Sequence, residues 1–257
     1  MRGISPFLFS LSKTSIITMM NSFVYEALIT FLWFTIPVIV LGIICIAIRF
    51  LTKIPDFIFR KILHLIAMGM IPILVIVPTH WWIAEIVTGI CILGLLTLLL
   101  IFERTELYKK FFVEKNKHEV LISFLLFFLV VVLLIALFWG YRGDAHRYLV
   151  IVAILSWGLG DAVAAIFGRL IGKHQVSGKM IEGTKSIEGS VACFLLAFLI
   201  SLIFLILLMH YVWWLALIES LLIGVAVSFV ELFTKKGFDN LTCPPIAALI
   251  LFLFSLL

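Results

Sequence analysis

Long apolar blocks alternate with short polar breaks along this chain of 257 residues. A bilayer core needs about 20 apolar residues per crossing helix. Blocks of that size predict spans near 24–50, 62–78, 81–102, 120–140, 148–171, 187–209, 211–233 and 243–257. The last is short, and its Pro244-Pro245 start suits the first turn of a helix. Residues 1–22 are ambiguous: Phe7, Leu8, Phe9 and Leu11 could form a short interfacial helix, but Lys13 interrupts a full span there. No small-residue cleavage site follows a compact apolar core, so no cleaved signal peptide is expected.

Composition agrees with the pattern. Hydrophobic residues make up 64% of the chain and charged residues 13%, against roughly 45–50% and roughly 25% in soluble domains. The expected fold class is all-α, a polytopic transmembrane bundle of about eight helices. A single integral domain, 1–257, is the simplest organisation, with 1–22 as a candidate interfacial segment. Cys45, Cys91, Cys193 and Cys243 lie in or beside apolar runs and form no CxxC pair or metal-ligand spacing. No internal repeat suggests an inverted-repeat transporter.

Loop charges set an orientation. Fifteen of the nineteen Lys and Arg fall on one side of an eight-span arrangement, leaving Arg2, Lys13, Arg142 and Arg147 on the other. The positive-inside rule makes the rich side cytoplasmic. The formal net charge of +5 then needs no nucleic-acid partner. Trp81, Trp82, Trp139, Trp213 and Trp214 crowd the opposite interface as an aromatic belt. Glu26, Glu85 and Glu219 lie nearer that outer half and read as glue between helices.

Four polar constellations fall at or just beneath the basic side. Asp161 stands inside a span, where an ionisable group is costly and usually functional. It suits a carboxylate that holds Mg²⁺ or accepts a hydroxyl proton; its bland alternative is a structural acid neutralised by Arg169 or a polar neighbour. Gly160, Ala164, Gly168 and Gly172 recur every four positions beside it and invite close approach of another helix.

Next come Lys173, Lys179 and Lys185, with Thr184, Ser186, Glu182 and Glu188, in a Gly-rich segment joining two spans. Lysines and the following helix N-terminus suit phosphate. The segment is no Walker A loop, because Thr184 stands where the lysine belongs. A solvated basic loop is the bland reading, and the two glutamates argue against it. Glu231, Asp239 and Asn240 offer oxygen ligands for a hard cation bridging nucleotide phosphates, or simply a turn capping the last helix. Finally, Arg60, Lys61 and His64 share a face at the start of the second span, as site residues or as topology anchors with an interior histidine.

In order and spacing these pieces resemble the polyprenol kinase family, which includes dolichol kinases, phytol kinases and CTP-dependent diacylglycerol kinases. The residues that carry the resemblance are Arg60-Lys61-x-x-His64, Gly160-Asp161-Ala162 with Ala165 and Gly168, and Gly172-Lys173. They continue with Lys185-Ser186-x-Glu188-Gly189, Glu231, and Asp239-Asn240-Leu241-x-x-Pro244. The resemblance covers roughly residues 55–250. It implies transfer of the CTP γ-phosphoryl group to a membrane lipid alcohol with Mg²⁺. The compact length fits phytol-type or diacylglycerol-type kinases better than the longer dolichol kinases.

On this resemblance Asp161, Asp239 and His64 are the expected catalytic residues, and Asp161, Asp239 and Glu231 the expected metal ligands. Arg60, Lys61, Lys173, Lys179, Lys185, Ser186, Glu188 and Asn240 are the expected nucleotide contacts. The alternative is a phosphatidate cytidylyltransferase, also polytopic and dependent on CTP and Mg²⁺. That family's Lys-Asp, His-Gly-Gly and Asp-Arg-x-Asp signature is absent here: no lysine precedes Asp161, and Asp239-Asn240 does not reproduce the rest. A transporter coupling ions through Asp161 is a third reading, weakened because polar residues are sparse in the outer half.

Overall fold

The computed structural model describes residues 13–52, 54–105, 108, 118–178, 181–234 and 238–256. Helix α1 (Lys13–Leu51) is followed by α2 (Asp56–Gly69), the short α3 (Ile71–Ile76) and α4 (Trp81–Phe102). Next come α5 (Glu119–Leu134), a π-helical turn (Ile135–Tyr141), a 3₁₀ turn (Asp144–His146) and α6 (Leu149–Leu170). A hairpin, β1 (Gln175–Gly178) and β2 (Ile181–Ser186), leads into α7 (Ile187–Leu207), α8 (Trp213–Phe233) and α9 (Asp239–Phe254). Among the described residues seven helical segments are long and apolar enough to cross a membrane, and Asp239–Phe254 is a shorter apolar helix. The protein is a multi-pass membrane helix bundle.

Apolar blocks located the helices well, and their boundaries moved where local chemistry intervenes. Residues 13–22, expected apart from the first span, continue α1 as helical backbone. The expected 62–78 span begins earlier, at Asp56, and breaks at Met70. Pro72 follows at once, and a proline cannot donate a helical hydrogen bond. Starting at Asp56 places Arg60 and Lys61 within the helix that also carries His64, rather than just ahead of it. Likewise α9 starts at Asp239, so Asp239 and Asn240 form its first turn and Pro244-Pro245 lie inside the helix. Neither proline has an N–H, so the carbonyls of Asn240 and Leu241 lose their usual helical donors.

The segment between α6 and α7, expected as a loop, folds back as an antiparallel hairpin. Gln175 pairs with Ser186 and Val176 with Lys185, with a bulge before Gly178. The N–H of Ile187 donates to the carbonyl of His174 at 3.0 Å, closing the base of the hairpin.

Helix α6 is the axis of the bundle. Most of its residues from Leu149 to Ala164 are buried, while the other spans present at least half of their length outward. It packs against α2, α7, α8 and α9. The glycine stripe works as expected on the α7 side. A Cβ at Gly160 would lie 3.1 Å from Cys193 Sγ and 3.2 Å from the Cys193 carbonyl oxygen, and one at Gly189 would lie 2.8 Å from the Ala164 carbonyl oxygen. Small residues thus let the two backbones come together, which in lipid is a main source of helix association.

The half of the bundle away from the basic end is mostly structural. Trp81, Trp82, Trp213 and Trp214 are exposed as a belt requires, but Trp139 is buried and its indole N–H donates to Asp144. Glu26 ties α1 to the α3–α4 turn by accepting from the Thr79 hydroxyl at 2.8 Å. Glu85 Oε1 and both oxygens of Glu219 are buried without a hydrogen-bond partner among the described residues, so neither glues helices through them.

Candidate functional site

At the basic end of the bundle, residues from all four polar constellations line one cavity of about 760 Å³. Its polar lining comes from Arg60, Lys61 and His64 of α2, Asp161 and Arg169 of α6, and Lys185 and Ser186 of β2. Glu231 of α8, Thr234 beyond it, and Asp239 and Asn240 of α9 complete that wall.

Asp161 is 4% exposed on the central helix. A buried carboxylate needs a partner, and Lys61 supplies it, donating directly to Asp161 Oδ2. Arg169, one candidate neutraliser, lies instead with its guanidinium 4.4 Å from the centre of the Phe57 ring. His64 stands one turn after Lys61, with Nε2 3.9 Å from the same Asp161 oxygen, too long for a hydrogen bond. Its ring is edge-on to Trp157 at 5.4 Å, and Nε2 is buried with no hydrogen-bond partner among the described residues.

A second ion pair closes the opposite wall. Lys185 Nζ lies 2.9 Å from Glu231 Oε1 and also donates to the backbone carbonyls of Glu231 and Thr234. Helix C-terminal carbonyls carry partial negative charge and lack intrahelical donors, so the lysine fastens β2 to the end of α8. Asp239 lines the same cavity, within electrostatic reach of Asp161, Lys61 and Glu231. Its Oδ1 accepts from the Asn240 N–H at 3.1 Å, and Asn240 Nδ2 donates to the Ser123 carbonyl at 2.9 Å, tying α9 to α5.

Ser186 is a helix cap as well as cavity lining. Its hydroxyl oxygen accepts from the Gly189 N–H at 3.1 Å, satisfying the first turn of α7 and leaving the hydroxyl proton to donate. The hydroxyl also lies against Gly172, where a Cβ would come within 2.5 Å of Ser186 Oγ. Gly172 therefore lets the hairpin return onto α6.

Two expected nucleotide contacts, Glu188 and Lys173, do not line the cavity. Glu188 is engaged at the hairpin base, with Oε1 2.7 Å from His174 Nδ1 and accepting from the His174 N–H at 3.2 Å. Lys173 is exposed after α6 and is not part of the lining. Lys179 lies outside the described residues. The sequence reading also passed over Ser123, Thr234 and the partner role of His174. Thr234 and Ser123 act through backbone carbonyls, for which no side-chain signature exists. His174 is fourteen positions from Glu188, and only the hairpin register joins them.

No cluster of three or more His, Cys, Asp or Glu side chains placed to hold a metal ion occurs among the described residues. Asp161, Asp239 and Glu231 are therefore not a preassembled ligand trio, and two of them already hold lysines. The residues present fit a cation bound mainly through its substrate rather than by a protein cage. Magnesium keeps several waters and binds through one or two carboxylates plus substrate phosphates, and Asp161 and Asp239 line the same cavity. Four cationic side chains (Arg60, Lys61, Arg169, Lys185) face three carboxylates (Asp161, Glu231, Asp239) in the lining. That balance accommodates a polyphosphate with its cation.

No protein-family model matches the chain, and no curated protein or solved structure is significantly similar to it.

Proposed function

We propose that this protein is a CTP-dependent lipid kinase that transfers the γ-phosphoryl group to the hydroxyl of a membrane lipid alcohol. One observation carries the reading. The ion pairs Lys61–Asp161 and Lys185–Glu231, with Asp239, stand at the polar end of a cavity whose other walls are apolar. A charged donor and an apolar acceptor have a place to meet there. The donor's identity rests on the resemblance of these residues to the polyprenol kinases, and the cytoplasmic placement of the site rests on the positive-inside rule.

Phosphoryl transfer needs alignment and charge neutralisation more than covalent help. Lys185 and Arg60 contact the triphosphate, and the Ser186 hydroxyl donates to it. Asp161 orients the acceptor hydroxyl and receives its proton as the oxygen attacks. The new bond joins that oxygen to the γ-phosphorus; the bond from the γ-phosphorus to the β,γ-bridging oxygen breaks, and CDP leaves. Lys61 holds Asp161 in place for this role through their hydrogen bond, and His64 lines the wall beside it. Asp161 and Asp239 would hold a magnesium ion together with the phosphates, and such an ion neutralises charge developing on the transferred group.

Purified protein in lipid nanodiscs is incubated with a lipid-alcohol panel and with CTP labelled at either the α- or the γ-phosphate. Label moving from the γ-position to the alcohol is expected. Label moving from the α-position to phosphatidate, with cytidine attached, would instead identify a cytidylyltransferase.

A further inference from the structure

The cavity continues away from its charged end. Helix α2 packs against α1 and α6, whereas α4 packs against α1 and α5. Between these two pairs lies an apolar arm walled by Leu63 and Ala67 of α2, Leu95 and Leu99 of α4, and Phe124 and Phe127 of α5. His64, next to Leu63 in sequence, lines the same cavity within 3.9 Å of an Asp161 oxygen, so a molecule held against these apolar walls can bring its head to the proposed phosphoryl acceptor position. Leu98 also lines the cavity and is 60% exposed on the outer face of the bundle. It belongs to the apolar span Trp81–Phe102, so an opening beside it would face lipid rather than water.

Volume limits what the arm encloses. About 760 Å³ is ordinary for one compact ligand, and here the phosphate end shares it. A long tail does not fit inside, and it has no need to, because an opening at Leu98 would lead into lipid.

We infer that the arm holds only the hydroxyl-proximal part of one acceptor tail, the rest passing Leu98 into the bilayer. Ala67, Leu95, Leu99 and Phe124 then read the girth of the tail beside the hydroxyl, while its total length goes unread. The inference rests on the kinase reading for what the hydroxyl does, but its geometry is testable without turnover.

The probe is hexadecanol carrying a photoreactive diazirine, placed either next to the hydroxyl end or at the far end of the chain. Full-length protein in nanodiscs is irradiated and the adducts mapped by mass spectrometry. The near-end probe is expected on Leu95, Leu99 and Phe124, with excess hexadecanol lowering the label at least about tenfold and hexadecane leaving it in place. The far-end probe is expected on Leu98 and phospholipid. Ala67→Phe fills the arm from one wall and Leu95→Trp from the other, and each is expected to remove the competed near-end label. Label spread evenly over lipid-facing surfaces, competed label on α7 or α8, equal competition by hexadecane, or label surviving both variants would each overturn the inference. Competed label in the arm with no phosphate transfer to any alcohol would sink the kinase reading and leave this one standing. Phosphate transfer with label that no alcohol displaces would do the reverse.

Discussion

Lys61 on α2 donates a hydrogen bond to Asp161 on α6, one hundred positions further along the chain. The pair lies at the floor of the cavity, where the carboxylate is 4% exposed, and it joins a peripheral helix to the axis of the bundle. Both its stability and its chemistry are open to test.

Replacing Asp161 by Asn keeps the shape and removes the charge and the proton acceptor. General-base contributions are typically about 10²–10⁴-fold in rate, so γ-phosphoryl transfer is expected to fall by roughly that range. Elution as a monodisperse species in detergent checks the fold. Unchanged turnover in a well-folded variant would remove Asp161 from the proposed mechanism.

The pair is also a structural bond, and a double-variant cycle measures it. Removing one partner of a buried ion pair leaves an uncompensated charge and costs about 3–5 kcal/mol in soluble proteins. Lys61→Met is therefore expected to lower the thermal midpoint in detergent clearly. The combined Lys61→Met and Asp161→Asn protein is expected to be more stable than the sum of the single losses. Strict additivity would mean the two side chains do not depend on each other.

Lys185→Met should free the hairpin from α8. The lysine loses its 2.9 Å contact with Glu231 and two carbonyl acceptors, and hydrogen bonds to charged groups contribute about 1.5–3 kcal/mol each. Amide exchange across β1 and β2 is expected to speed up at least about tenfold, with KM for CTP rising in parallel. Exchange at the wild-type rate would show that other contacts hold the hairpin.

Two glycine substitutions should differ in sign. At Gly189 an added Cβ would lie 2.8 Å from the Ala164 carbonyl oxygen, so α6 and α7 must separate. Overpacking of that kind costs about 1–3 kcal/mol, and Gly189→Ala is expected to lower the thermal midpoint. At Gly42, inside α1, the Cβ meets nothing within 4 Å. Alanine exceeds glycine in helix propensity by about 1 kcal/mol, so Gly42→Ala is expected to leave stability equal or raised. Equal losses at both would indicate that helix approach does not limit packing here.

The apolar blocks were enough to place α4 at 81–102 and to bring α6, α7 and α8 within two residues of their observed ends. That much is legible because hydrocarbon leaves a backbone few options: its hydrogen bonds must be made inside the segment. The glycine stripe on α6 was equally readable, since small residues at helical spacing state which face approaches a neighbour.

Pairing was a different matter. From sequence, the candidate neutralisers of Asp161 were Arg169 or an unspecified polar side chain on a neighbouring helix. Lys61 holds that place because α2 is rotated to present it and α6 to receive it, and no local pattern records such a rotation. Glu188 read as a phosphate contact until the register of β1 and β2 set His174 against it.

By itself, then, the order of apolar and polar residues determined a multi-pass helical bundle and which side chains crowd its basic end. Only the packed bundle decided which charges neutralise one another, that the segment before α7 is a hairpin, and that Asp161 and apolar side chains of α2, α4 and α5 line one cavity. Segment burial is a property of neighbours in the chain. Pairs and cavities arise from helices that meet across a hundred residues, where their geometry depends on every contact at once.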